Sequence, residues 1–425
     1  MKDKPLHELS SWVDVSPVSD FPIQNLPYGI FSYGEKKPRI GVAIGQYIVD
    51  LSYLYKKGYF DKMFMNTNVF KSSSLNKFIA LGKPYWKQTR ERLIELLSVD
   101  CAELRDHRED RNLALIPMAE AKMYMPLNVR NYTDFYSSME HASNVGKMFR
   151  PDGDPLLPNW KHIPVGYHGR ASSIVVSGTN IYRPNGQTMP DGALTPVFGP
   201  SKQLDFELEM GFVVGRENEL GSTIPVNDAE NYIFGMVIFN DWSARDIQRW
   251  EYVPLGPFLS KNFASSVSPW VVTMDALELF RCNGPEQNPE VLPYLKYQGQ
   301  KSFDIQLEVY IKPPHGTENK ICQSNHKYLY WTISQQLAHH TINGCNMKVG
   351  DVCASGTISG PTPDSYGSML ELAWKGTKPL KLNDGSERKF ILDGDTVIMK
   401  AYCKNEKYRI GFGSVESTVL PAKNL

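Results

Sequence analysis

Leu204-Asp205-Phe206-Glu207-Leu208-Glu209-Met210 alternates apolar and acidic residues without a break. Successive side chains of a β-strand point to opposite faces, so Asp205, Glu207 and Glu209 share one face and the apolar residues the other. Alternation by itself also fits a solvated edge strand. The continuation, Gly211-Phe212-Val213-Val214-Gly215, is apolar on both faces and carries the strand into a buried setting. Two carboxylates held there at about 4 Å repel each other by roughly 4 kcal/mol at an effective dielectric of about 20. Either one is protonated or a cation lies between them. All-oxygen ligation suits Ca²⁺ or Mg²⁺ rather than zinc, so the expectation is a hard divalent cation at Glu207 and Glu209.

Working outward, the same strand-like texture dominates the last 300 or so residues: Ser173–Val176, Ile233–Phe239, Phe303–Ile311 and Thr396–Ala401. Helical stretches are expected at Ser243–Tyr252 and Trp331–Thr341. Toward the N-terminus, Tyr28–Tyr33, Arg39–Ile44 and Tyr47–Leu51 read as short strands, followed by an amphipathic helix over Pro84–Val99. A joint is expected near Ile116–Pro126, dividing the chain into an N-terminal unit over 1–120 and a larger one over 121–425. The class is mostly β with some α.

Composition excludes several functions. The 46 Lys and Arg balance 46 Asp and Glu, and no charge run marks a polyanionic partner, so nucleic acid is not expected. No stretch has the apolar length of a membrane span, and MKDKPLHELSSWVDV lacks a signal-peptide core. Six scattered cysteines without a C-x-x-C pair read as reduced thiols. The terminal Lys423-Asn424-Leu425 is not a convincing peroxisomal signal. The cytoplasm is the expected location.

Two further segments carry candidate chemistry. The apolar run Phe234–Phe239 ends at Asn240-Asp241-Trp242-Ser243. A helix continuing from there would put Asp241, Arg245, Gln248 and Tyr252 on one polar stripe, with Lys261 nearby. Such a stripe fits an N-cap and exposed helix face, or a substrate pocket; Trp242, Ile247, Trp250 and Val253–Leu259 leave little of it free for solvent. In Thr133–His141, a short helical stretch would place Asp134 and His141 on one face about 10 Å apart, a metal ligand at one end and a general base at the other. A lone histidine is as readily structural. His339-His340, adjacent on a helix, diverge by about 100° and are taken as structural. No G-x-S-x-G, H-E-x-x-H, Walker loop or G-x-G-x-x-G is present, which disfavours serine hydrolases and nucleotide enzymes.

Asp134-Phe135-Tyr136-Ser137-Ser138, Pro164–Arg170, Glu207-Leu208-Glu209, Asn240–Gln248 and Ser355-Gly356-Thr357-Ile358-Ser359-Gly360 together resemble the fumarylacetoacetase family. The likeness runs from about residue 20 to the C-terminus. It implies an N-terminal SH3-like β-barrel domain, a larger mixed β-roll catalytic domain, and a homodimer. It implies a diketo-acid substrate, 4-fumarylacetoacetate, cleaved by water to fumarate and acetoacetate at the end of tyrosine breakdown. It implies Asp134, Glu207, Glu209 and Asp241 as ligands of a catalytic Ca²⁺, and Asp241, Lys261 and Ser265 as contacts of a neighbouring Mg²⁺. Where the family commonly has threonine, this chain has Ser265, which keeps the hydroxyl. Tyr136, Arg150, Tyr167, Gln248, Tyr252 and Thr357 resemble the substrate-binding set. His141 resembles the base, Glu371 its orienting partner, and Arg245, Gln248 and Lys261 the groups facing developing negative charge.

Two alternatives stand beside this reading. Acylpyruvate hydrolases, decarboxylases and isomerases of small keto acids share the β-roll but lack the N-terminal unit. A non-enzymatic, metal-stabilised binding protein would leave His141 and Glu371 dispensable.

Overall fold

The computed structural model describes residues 5–61 and 67–424; Met1–Lys4 of the N-terminal stretch and Leu425 of the C-terminal tripeptide lie outside them. Near the N-terminus, Arg39–Ile44 pairs antiparallel with both Tyr28–Ser32 and Tyr47–Asp50. Leu115–Pro117 and Lys122–Tyr124 close the two edges, making a curled five-stranded antiparallel sheet. The segment expected as a joint thus supplies both edge strands of this sheet. The expected helix forms over Lys83–Leu97, with proline in its first turn and Trp86, Leu93, Leu96 and Leu97 buried.

The larger unit is built on an eight-stranded mixed sheet. Its path runs Gly166–Gly169, Tyr132–Phe135, Val352–Ala354, Leu208–Val214, Ile233–Asp241, Ser265–Val267 and Ile174–Val176, with Val272–Thr273 paired to Ile233–Asp241. Tyr132–Phe135 runs parallel to Val352–Ala354, while Leu208–Val214 is antiparallel to both of its neighbours. A second five-stranded sheet contains Asn319–Asn325, Gln306–Lys312, Thr396–Lys404, Arg409–Leu420 and Ile181–Tyr182. Leu204, Phe206, Leu208, Met210 and Phe212 pack into one core with Leu307, Val309, Val397 and Met399. Each fully buried side chain of this kind contributes about 1.5–3 kcal/mol.

The two units share a core. Phe234 of the large sheet lies 5.1 Å from the Trp86 ring, edge-on, and 5.8 Å from Tyr28. Gly215 has room only for hydrogen, because a Cβ there would come 2.4 Å from the Trp86 ring.

The alternating run is buried from Leu204 to Val214, as its apolar continuation implies. Three local expectations are corrected. The run is two strands, not one. Leu204–Asp205 pairs with Ser243–Ala244, and Leu208–Val214 enters the large sheet. At the break the Glu207 N–H donates to the Asn240 side chain, not to a ladder carbonyl. Asp134 does not begin a helix; it lies on Tyr132–Phe135, and the helix starts at Met139 with Ser138 as its N-cap. Asp241 likewise ends the Ile233–Asp241 strand, and the helix spans only Arg245–Glu251. In both cases sheet pairing, on both sides of Asp134 and with Ser265 for Asp241, outweighs local capping propensity.

Among the described residues no helix is long and apolar enough to cross a membrane. All six cysteines are free.

Candidate active site

Register alone assembles an acidic cluster. Gly211 pairs with Ala354, and Ala354 with Asp134, which brings the ends of separate strands together. Asp134, Glu207, Glu209 and Asp241 each offer a carboxylate oxygen, and these oxygens all lie within 4.8 Å of one another. All four residues are buried. Asp134 and Glu209 are both pushed well above the ordinary carboxyl range, first by burial and then by the neighbouring carboxylates.

The Gly356 N–H donates to Asp134 Oδ1 at 3.2 Å and to Glu209 Oε2 at 3.0 Å, drawing the two acids together. Only glycine serves at 356: φ is +75°, and a Cβ would sit 2.3 Å from the Phe135 carbonyl oxygen. Glu209 Oε1 is buried without a partner. A buried, unpartnered carboxylate oxygen is unfavourable unless a cation meets it. The donor set is all oxygen, which fits a hard dication.

Two cations border the cluster. Lys261 Nζ donates to Glu207 Oε2 and, at 2.8 Å, to Asp241 Oδ2. Arg245 Nη2 lies 2.8 Å from Glu207 Oε1. Burial alone would raise the Glu207 carboxyl, but Lys261 and Arg245 outweigh it and hold it well below its usual range. Asp241 also accepts from Ser265 Oγ and Tyr167 Oη, each at 2.8 Å. Burial pushes the Tyr167 phenol far up, with the Asp241 and Asp134 charges adding to it, so it stays a donor.

Beside the acids sits a buried histidine–carboxylate pair. His141 Nδ1 is 2.6 Å from Glu371 Oε2. Glu371 also accepts from Asn144 Nδ2 at 3.0 Å, from Ser359 Oγ at 2.9 Å and from Ser368 Oγ at 2.8 Å. Burial opposes ionisation of Glu371, yet His141 and these donors overcome it and keep its carboxyl below the usual range. The bond on Nδ1 leaves Nε2 as the second ring nitrogen, and the imidazole lies close enough for its charge to act on Glu207. Tyr136 stands edge-on to His141 at 5.2 Å between ring centroids.

The remaining expected residues divide. Gln248 Oε1 accepts from Arg245 Nη1 at 3.1 Å, and Thr357 Oγ1 is buried without a partner beside Gly356. Arg150 is turned to the Pro155 carbonyl, and Tyr252 is 51% exposed. The single polar stripe from Asp241 to Tyr252 therefore does not form. Nor does the 250–259 stretch shield it: Trp242 and Ile247 are buried, but Leu255 is 97% exposed. His340 Nε2 bonds Thr133 Oγ1 and His339 Nδ1 bonds Tyr294 Oη, both outside the cluster. Residue-type reasoning did not single out Gly356, Asn144, Ser359 or Ser368. Gly356 and Ser359 lie in a quoted motif, whereas nothing local marks Asn144 or Ser368.

An all-oxygen cage beside a histidine–carboxylate pair defines an enzyme with a divalent-cation site. The fold is that of a solved fumarylacetoacetate hydrolase from the psychrophile Exiguobacterium antarcticum. That structure is 18% identical with a TM-score of 0.50, over 93% of this chain and 99% of that one. Residues 24–126 match the family described as Fumarylacetoacetase N-terminal, and residues 130–420 that described as Fumarylacetoacetate (FAA) hydrolase C-terminal. Fumarylacetoacetase of Homo sapiens is 55% identical and that of Arabidopsis thaliana 51%, each alignment covering 97% of this chain and 99% of the relative. The chain belongs to the fumarylacetoacetase family, hydrolases of carbon–carbon bonds.

Proposed function

We propose that this protein hydrolyses the carbon–carbon bond of 4-fumarylacetoacetate to give fumarate and acetoacetate. The observation that carries the reading is the buried acidic cage built against the His141–Glu371 pair in a chain 55% identical to a fumarylacetoacetase over nearly its whole length. His141 Nε2 takes a proton from water, while Glu371 holds Nδ1–H and balances the imidazolium that forms. The oxygen of that water adds to the fumaryl-side carbonyl carbon. The bond from that carbon to the acetoacetyl carbon then breaks, its electron pair leaves as an enolate, and the proton taken up by His141 passes to the acetoacetyl carbon. Arg245, Gln248 and Lys261 face the developing negative charge. Tyr136, Arg150, Tyr167, Tyr252 and Thr357 position the substrate.

Asp134, Glu207, Glu209 and Asp241 would hold the catalytic ion, which this reading assigns as Ca²⁺; when bound, it supplies Lewis-acid polarisation of the two diketone oxygens. Asp241, Lys261 and Ser265 would hold a second ion, assigned as Mg²⁺. The Lys261 ammonium is held protonated by Asp241 and Glu207 against the pull of burial and has no lone pair to offer. Its contribution to that ion would therefore come from the backbone carbonyl.

The two-unit division belongs to the same reading, with Lys122–Tyr124 favouring a boundary a few residues beyond 120. So does a cytoplasmic location, which six free thiols support. A homodimer completes it. Phe198, Trp250, Val253, Leu255 and Phe258 are all exposed, and Trp250 Nε1 reaches Gln187, which pairs with Phe198, so Trp250 and Phe198 lie near each other and the exposed 253–258 segment follows Trp250 in the chain. Exposed apolar residues of this kind suit an isologous contact with a second copy. Leu255→Glu with Phe258→Glu should convert a dimer to a monomer in sedimentation; an unchanged mass would remove this surface from the interface.

The test of function is the loss of fumarylacetoacetate absorbance with purified protein, before and after chelation. Turnover that stops with the chelator and returns with Ca²⁺ supports the reading. Undiminished turnover after complete metal removal would overturn the metal assignment, and cleavage of acylpyruvates in its place would overturn the substrate.

A further inference from the structure

Asp205 is completely buried and belongs neither to the cage nor to the His141–Glu371 pair, yet it touches the support of both. Its Oδ2 accepts from Arg245 Nε at 2.8 Å and from the Leu370 N–H at 3.0 Å. Its Oδ1 accepts from the Met369 N–H at 2.7 Å. Arg245 reaches on to Glu207, a cage residue, and Met369 and Leu370 immediately precede Glu371 in the chain. One carboxylate therefore joins the guanidinium on the cage side to the turn that presents Glu371 on the base side. These elements are more than 100 residues apart in sequence, and the carboxylate provides a direct short link between them.

The surroundings show what the link depends on. Leu204–Asp205 is a two-residue strand clipped to Ser243–Ala244, immediately before Arg245. Asp205 is thus placed by the same backbone pairing that starts the Arg245 helix. Burial disfavours its charge and Arg245 favours it, so the carboxylate and guanidinium depend on each other.

We propose that Asp205 is a positioning residue for the hydrolysis: it sets the separation between Arg245 and Glu371, and hence between the charge-stabilising side of the site and His141. This rests on the functional reading above. It concerns a residue that contacts neither the cage oxygens nor the imidazole. Misplacing a reacting group by about 1 Å can reduce a rate on the order of 10²-fold.

The experiment compares wild type, Asp205→Asn and Asp205→Glu, each saturated with Ca²⁺ and checked for fold by circular dichroism. Asp205→Asn is isosteric but loses the charge and one acceptor. Asp205→Glu keeps both and lengthens the link by one methylene, and it serves if the asparagine variant does not fold. Each should lose about 10- to 100-fold in kcat with KM within about threefold. A kcat within twofold of wild type in a folded, Ca²⁺-loaded variant would overturn the proposal, even if thermal stability fell. An activity-independent signal separates this from the functional reading. The His141 Nδ1–H proton, assigned by its loss in His141→Ala, should shift or broaden in the proton NMR spectrum of either Asp205 variant. An unchanged resonance would overturn the positioning role, whereas absence of wild-type turnover would overturn only the assigned reaction.

Discussion

The acidic cage and the His141–Glu371 pair are equally buried, but their charge balance is opposite. Around Glu371, one imidazole and three neutral donors converge on a single carboxylate, so its ionised form is satisfied by the protein alone. In the cage, four carboxylates share Lys261 and part of Arg245, and Glu209 keeps an oxygen that no donor meets. The protein finishes one half of the site and leaves the other dependent on a bound cation. That difference suits Glu371 to a fixed ionised state and the four clustered carboxylates to attracting an ion.

The strongest way to break the comparison is to remove the base half. His141→Ala should lower kcat by roughly 10²–10⁴-fold with Ca²⁺ binding retained, and should also lower the melting temperature because buried Glu371 loses its imidazole partner, by steady-state kinetics and calorimetry. Near-normal turnover would remove His141 from the role of base.

Next is the cage. Glu209→Gln should weaken Ca²⁺ binding by more than about tenfold in isothermal titration, since even loss of an outer partner typically weakens a metal site by 10–100-fold. Retained affinity would mean that the unpartnered Glu209 oxygen does not face the ion.

A milder change probes how finished the base half is. Ser368→Ala removes one neutral donor to Glu371 and should reduce stability by about 1.5–3 kcal/mol in denaturant titration, because hydrogen bonds to charged groups carry about that much. No change would show that Ser359 and Asn144 suffice.

The smallest expected effect is in pH. In chelated protein, Asp134 and Glu209 hold protons more tightly folded than unfolded. Their stabilisation is full below the unfolded carboxyl range, about 4, and is lost as pH rises toward their higher folded values. Glu371 and Glu207 run the other way, with stability lost as pH falls below about 4.3. The melting temperature of chelated wild type should therefore decline with rising pH above about 4 relative to Glu209→Gln. Parallel curves would show that Glu209 keeps an ordinary carboxyl.

Much of this was legible from residues alone. The Leu204–Met210 alternation and the apolar run after it place a buried strand with acids, because side-chain direction in a strand depends only on neighbouring residues. The Lys83–Leu97 helix was equally local, marked by an early proline and apolar spacing. The resemblance supplied Asp134, Asp241, His141 and Glu371 as members of one site. Local reading failed where the chain changes partners. Asp134 and Asp241 have capping chemistry, but sheet pairing placed both on strands.

What the sequence by itself determined, then, was the buried strand that carries Glu209, the shared face of Glu207 and Glu209, the helices with clear starts, and the family. Tertiary structure decided that Glu209 and Asp134 meet at the Gly356 N–H, that four carboxylate oxygens fall within 4.8 Å, and that Asp205 ties Arg245 to the Glu371 turn. The reason is range. Period-two alternation is a property of adjacent residues, whereas these contacts depend on register between separate strands and loops, from 40 residues apart for Asp205 and Arg245 to 222 for Asp134 and Gly356, which no local pattern encodes.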